Sequence, residues 1–146
     1  MSHSHINIWI HAIWATKNKL PLITPAIEAS FFSQMTEGLK GCGCHVKIIN
    51  LMPDYVHSLF SINAQKSVGD IVKRVKGVAS YWINQQNDLM EKFAWQKGYA
   101  AYSASESQLQ KVFEYVKNQQ VHHEKITFQQ EYDDFIRLHK LENKGR

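Results

Sequence analysis

Two residue pairs in this sequence have the types and spacing to do chemistry. The first is Tyr55 and His57, two apart in Met52-Pro53-Asp54-Tyr55-Val56-His57-Ser58-Leu59-Phe60. Side chains two apart on a strand share a face, so a histidine and a second oxygen or nitrogen donor there form half of a metal site. The plain alternative is a strand histidine satisfied within the core. The second pair is Tyr115 and Gln119, four apart in Tyr115-Val116-Lys117-Asn118-Gln119. On a helix they lie one turn apart on one face, offering a hydroxyl and an amide carbonyl together. A tyrosine on an amphipathic helix is otherwise a packing residue. A third cluster, Cys42-Gly43-Cys44-His45, lacks a second ligand pair at zinc spacing. A disulfide across one residue would be strained, so the sequence predicts two reduced thiols.

The elements that must position these residues follow from pattern. Ile6 to Thr16 reads as a strand with two largely apolar faces, hence a central one. Trp9, His11, Ile13 and Ala15 share its second face, where His11 either lines a site or packs as a core histidine. Thr24-Pro25 opens a helix over about 26–39, capped by Thr24. His45 to Met52 and Val56 to Ile62 are two strands, joined by a tight turn at Pro53-Asp54. Ser67 caps a second helix from Val68 to about Gln86, apolar at Val68, Ile71, Val72, Val75, Val78, Ala79 and Trp82. Lys73, Arg74 and Lys76 lie on its polar side. Phe93 to Ser103 is the fourth strand, Ser105 or Ser103 caps a third helix to about His123, and 128–141 forms a last amphipathic helix. The predicted fold class is α+β, a ferredoxin-like (RRM-like) antiparallel sheet with helices packed on it, plus a C-terminal helix. At 146 residues the chain reads as a single domain, 1–146.

Composition narrows the class. The net charge of +4 favours polyanionic partners without requiring them. The start lacks the pattern of a signal peptide, and no run of eighteen apolar residues suggests a membrane span. A cytoplasmic location with no membrane partner is the expectation.

Several motifs carry a resemblance. Met52-Pro53-Asp54-Tyr55-Val56-His57 resembles the M-P-D-H-x-H signature of the single-tyrosine HUH transposases, the insertion-sequence two-hundred type and their REP-associated relatives, with Tyr55 in place of the first histidine. Trp95-Gln96-Lys97-Gly98-Tyr99 and the tract Tyr115 to His123 are similar to the family's W-Q-x-G-Y and Y-I-x-N-Q-x-x-H-H. Thr127-Phe128-Gln129-Gln130-Glu131-Tyr132 resembles T-F-x-x-E-Y. Together these span nearly the whole chain.

The resemblance implies an activity. Tyr115 matches the catalytic tyrosine, His57 the second histidine ligand, and Gln119 the ligand one helical turn on. A phenol is a poor nucleophile at its usual pKa of about 10, and a bound Mg2+ or Mn2+ polarising a phosphate makes it useful. The implied reaction cleaves and rejoins single-stranded DNA at hairpin ends through a 5′-phosphotyrosine. The implied assembly is a homodimer in which the tyrosine helix can complete the partner's histidine site. Lys17 and Lys19 match a basic segment after the first strand that contacts DNA phosphates, and Lys73, Arg74 and Lys76 match a basic helix. Tyr55 is the departure: a neutral phenol is a poor ligand for either ion. A weakened metal site and a DNA-hairpin binding protein without catalysis are both compatible with it. A small-molecule or interaction domain on the same fold is the remaining rival, since the fold alone decides nothing.

Overall fold

A computed structural model describes residues 7–86 and 92–119, together with Asp133 and Arg137. The element order is β1 (Trp9–Ala15), α1 (Pro25–Gly41), β2 (Val46–Leu51), β3 (Tyr55–Ser61), α2 (Val68–Asn84), β4 (Ala100–Ala104) and α3 (Leu109–Lys117). The four strands form one antiparallel sheet in the order β2-β3-β1-β4, the ferredoxin-like arrangement expected from sequence. The α+β class therefore holds, with β1 central as its two apolar faces required. The predicted C-terminal helix lies outside the described residues. Among the described residues no helix is long and apolar enough to cross a membrane.

Alternation along the strands divides the molecule into two layers of packing. Ile10, Ala12 and Trp14 of β1 and Val56 and Phe60 of β3 point to one side. There they meet Phe31, Met35 and Leu39 of α1 and Ile71, Val72, Val75, Ala79 and Ile83 of α2. The other side of the same strands carries Leu59, packed under Val112 and Val116 of α3, and Ile13, packed with Ala15, Met52 and Tyr55. Removing the buried side chain of Val75 or Phe60 would cost on the order of 2–5 kcal/mol.

Local signals account for most boundaries. Ser67 Oγ accepts the Asp70 amide at 3.1 Å, a side-chain cap at the start of α2. Thr24 occupies the corresponding place before α1 but makes no such bond, so Pro25 carries the start of that helix. The helix runs through Gly41, two residues past the predicted end. It stops at Gly43, whose φ of 79° suits glycine and whose missing Cβ leaves room for the Asn63 side chain. The β2–β3 turn closes through the Met52 amide on the Tyr55 carbonyl at 2.8 Å.

Two expectations change. The fourth strand begins at Ala100 and not at Phe93. Phe93 and Trp95 instead meet edge-on, ring centroids 4.7 Å apart, and both pack against Phe31, while Trp95 makes an isolated bridge to Thr16. Phe93 and Trp95 pack on the core from a loop, which strand propensity cannot tell from a strand. The third helix starts at Leu109, after Gln108 and with no side-chain cap; the Ser105 hydroxyl lies instead 3.1 Å from that of Ser107.

Candidate active site and nucleic-acid surface

The side of the sheet under α3 gathers the chemical groups. Odd-numbered positions of β1 and β3 face it, so His11, Tyr55 and His57 come to one surface. All three are fully buried. Pairing sets Ile13 opposite His57 and Leu59 opposite His11, which leaves the two imidazoles diagonal neighbours. His11 Nε2 lies 3.1 Å from His57 Nδ1. Burial pushes the His57 imidazole down to a pKa of about 3, so it stays neutral near pH 7 with one ring nitrogen protonated.

Helix α3 delivers the tyrosine. Asn50, opposite His57 in the β2–β3 pairing, donates its side-chain amide to the Val116 carbonyl at 2.8 Å and the Lys117 carbonyl at 3.3 Å. Those bonds tie the last turn of α3 to the sheet. The Tyr115 ring then stands edge-on to His57, with centroids 5.8 Å apart, and to His11 at 6.1 Å. Gln119 falls two residues beyond the end of α3 but keeps its relation to Tyr115. Its Nε2 donates to the Tyr115 carbonyl at 3.1 Å. Its Oε1 is buried and accepts no hydrogen bond from any described residue. A buried carbonyl without a donor costs about 1–3 kcal/mol.

That orphaned oxygen is the observation that suits a hard cation. Mg2+ and Mn2+ take oxygen ligands, keep several waters, and in the case of Mn2+ accept imidazole. His57 and Gln119 would hold such an ion, with water and a substrate phosphate completing its shell. Among the described residues no three His, Cys, Asp or Glu side chains converge, so the donor set has few protein charges. Tyr55 packs with Ile13, Ala15 and Met52 and meets the His57 ring edge-on at 5.4 Å. Its phenol stands where the signature has a histidine and brings the weakest of the predicted donors.

The basic residues divide. Lys17 and Lys19 are exposed on a single 3-10 turn directly after β1, at the strand end that carries Tyr55 on the neighbouring strand. Lys73 and Arg74 are exposed on α2, on the far side of the sheet from His57. Lys76 is committed elsewhere: its Nζ donates to the Gln96 and Gly98 carbonyls, each at 3.0 Å, and burial lowers its pKa. It clamps the 95–99 loop onto α2. The two surfaces are joined through that loop, since the Lys17 amide bonds the Ala94 carbonyl and the Gln96 side chain accepts the Asn18 amide. A groove of about 480 Å3 runs along the clamp, lined by Gly69, Lys73, Lys76, Trp95 and Tyr99. Of the aromatic residues considered as base-stacking candidates, Trp95 is partly buried against the core, Tyr102 is half-buried, and Tyr99 is exposed at this groove.

Cys42 and Cys44 are free thiols in the core. Burial, and then the neighbouring Cys42, pushes the Cys44 thiol up to about 11, which makes it unreactive near neutrality. His122, His123 and the tract 127–132 lie outside the described residues.

The sequence model of the family described as transposase IS200 like matches residues 4–119. The chain belongs to this family. This IS200-like transposase is 26% identical over 114 residues to the ISDra2 transposase TnpA of Deinococcus radiodurans, covering 75% of this chain and 81% of that protein. Its fold is similar to the crystal structure of a transposase from Deinococcus radiodurans R1, with TM-score 0.61, 22% identity, and coverage of 82% of this chain and 96% of the other. It is also similar to a REP-associated tyrosine transposase bound to a REP hairpin, with TM-score 0.62, 8% identity, and coverage of 84% and 73%. DNA binding and DNA transposition are thus the general functions of the IS200-like transposase. The contact between His11 and His57 had no signal beyond the shared face of a strand, because sequence does not give the register of β1 against β3.

Proposed function

We propose that this transposase cleaves and rejoins single-stranded DNA at hairpin-bearing ends through a covalent bond to Tyr115. The observation that carries this reading is the Tyr115 ring edge-on to the buried His57, with the orphaned Gln119 oxygen one turn on. The Tyr115 Oη attacks a backbone phosphorus. The bond from phosphorus to the 3′ oxygen breaks, the departing strand takes up a proton as a 3′-hydroxyl, and the phosphate stays on Tyr115 as a 5′-phosphotyrosine. Attack by the 3′-hydroxyl of another strand reverses these steps and joins the strands without ATP. A divalent ion, when bound, supplies charge stabilisation at the phosphate. The chain's own residues hold and aim the reactants. Asn50 fixes the last turn of α3, burial keeps His57 neutral, and the bond from Gln119 to the Tyr115 carbonyl keeps its carbonyl oxygen within the site.

Hairpin DNA is the substrate this reading favours. A relative of the same fold is bound to a REP hairpin, and Lys73 and Arg74 make a basic surface on the far side of the sheet from His57. Lys73 and Arg74 contact the duplex backbone, while single-stranded DNA passes Lys17 and Lys19 to the side of the sheet under α3. The active form is a homodimer, which sedimentation of the free protein would test.

A second reading has its own support. Tyr55 is packed among apolar side chains where the signature has a histidine, and a chain so altered could bind hairpins without cutting them. Labelled single-stranded hairpin DNA incubated with Mn2+ and run on a denaturing gel separates the two readings. A covalent band for the unaltered chain that disappears in Tyr115→Phe supports the transposase. A band seen only in Tyr55→His supports the binder.

A further inference from the structure

The contact between His11 and His57 fixes more than their positions. The ring centroids are 5.3 Å apart while the facing nitrogens are 3.1 Å apart. For two five-membered rings that combination places both nitrogens nearly on the line joining the centroids. Each facing nitrogen therefore points at the other, the geometry of a hydrogen bond. Two imidazoles ligating one ion would instead aim their lone pairs at a common point beside that line. His11 thus does not stand in as a replacement ligand for the histidine that Tyr55 displaces.

A hydrogen bond between two neutral imidazoles allows only two proton arrangements. In one, His11 Nε2–H donates to His57 Nδ1. His57 then carries its proton on Nε2 and has no lone pair to offer beyond the pair. In the other, His57 Nδ1–H donates to His11 Nε2, and His57 Nε2 is a bare lone pair on the opposite side of the ring from His11. The reading of His57 as a ligand discriminates between them. A ligating imidazole needs a deprotonated nitrogen to offer, and His57 Nδ1 is engaged by His11 at 3.1 Å. Only the second arrangement leaves His57 with a nitrogen, Nε2, that can serve a cation.

We propose that His11 is a positioning residue for this site: it accepts the His57 Nδ1–H and so holds His57 in the tautomer that presents Nε2 to a divalent cation. The inference rests on His57 as a ligand, the reading given above, and adds the group that makes it competent. In metal sites the non-ligating nitrogen of a histidine is typically bonded to an outer partner that fixes its tautomer and orientation. Here the partner is a second histidine, held by its strand and buried. It needs no charge. With Tyr55 in place of one donor, each remaining ligand matters more, and a His57 locked in the wrong tautomer would leave Gln119 alone.

The direct test is the His57 tautomer in the metal-free protein, read from long-range 1H–15N correlations of the imidazole nitrogens. The expected spectrum shows a protonated Nδ1 and an unprotonated Nε2. A protonated Nε2 overturns the proposal whatever the protein does to DNA. The second test is Mn2+ affinity without DNA, followed by the electron paramagnetic resonance signal of the free ion. His11→Leu removes the acceptor and should weaken Mn2+ binding tenfold to a hundredfold, the usual effect of losing such a partner. His11→Gln retains a carbonyl acceptor and should stay within a few-fold of the unaltered protein. Leucine binding as well as histidine, or glutamine failing as badly as leucine, refutes the role. Failure of the proposal and failure of the functional reading are separable. The expected tautomer without any Mn2+ binding in the unaltered protein refutes the metal reading. Mn2+ binding and DNA adducts with a protonated Nε2 refute the role of His11 alone.

Discussion

Replacing Gln119 by leucine separates a residue kept for the fold from one kept for a cation. Gln119 is fully buried, spends its amide nitrogen on the Tyr115 carbonyl at 3.1 Å, and leaves its oxygen without a described donor. Leucine of similar volume loses the one hydrogen bond, with a net value of about 0.5–1.5 kcal/mol. It also removes the unsatisfied acceptor, which costs about 1–3 kcal/mol while it is buried. The balance is a stabilisation of about 1 kcal/mol, or roughly 2–4 °C in Tm for a chain of this length. The measurement is thermal unfolding in EDTA and again with Mn2+. In EDTA the Gln119→Leu variant should melt above the unaltered protein. With Mn2+ at a hundred times its dissociation constant, the unaltered protein should gain about 2.7 kcal/mol by mass action and overtake a variant that gains little. A variant less stable than the unaltered protein in EDTA, with an equal response to Mn2+, would refute the reasoning and return Gln119 to an ordinary structural role.

Tyr115→Phe should abolish covalent DNA adducts on a denaturing gel while hairpin affinity by gel shift stays within a few-fold. His57 is neutral in the fold with a pKa of about 3 against 6.5 unfolded, so its contribution is intact above pH 6.5 and is lost as pH falls toward 3. Between pH 6.5 and 5 the loss from this group is about 2 kcal/mol, and urea unfolding of His57→Leu should show a flatter acid limb. Lys73→Ala combined with Arg74→Ala should lower the salt dependence of hairpin binding by about one unit of slope per charge with little change in Tm. Lys76→Met should act differently: freeing the Gln96 and Gly98 carbonyls costs about 1 kcal/mol, seen as a lower Tm and faster proteolysis of the 95–99 loop.

The fold was legible because the strands and first two helices carry period-two and helical patterns with few interruptions. The register was not. His11 and His57 are forty-six positions apart, and only the antiparallel pairing of β1 with β3 makes them diagonal neighbours. No local spacing encodes that. Residues 93–99 misled for a different reason. Phe93 fills the core next to α1 and α2 from a loop and Trp95 packs against it, and composition registers burial without registering backbone shape. Lys76 looked like its neighbours Lys73 and Arg74 because a helix pattern assigns it to the polar side. Its two carbonyl partners come from a segment twenty residues on.

The same register has a functional consequence. Odd positions of β1 and β3 face α3 and even positions face α1 and α2, so the sheet itself separates the candidate chemistry from Lys73 and Arg74. Lys73 and Arg74 cannot neutralise the phosphate that meets Tyr115, because the sheet stands between them. They suit a duplex held at a distance. Lys17 and Lys19 differ, since β1 ends at Ala15 opposite Tyr55 and turns directly into them. A DNA strand leaving a hairpin on the α2 side would pass that turn to reach the His57 side. Neutralising Lys17 and Lys19 should therefore reduce cleavage of a hairpin carrying a single-stranded flank more than it reduces binding of the bare hairpin. Neutralising Lys73 and Arg74 should reduce both alike. Equal effects from the two pairs, measured by adduct yield and gel shift on the same substrates, would mean that the DNA does not cross at this turn.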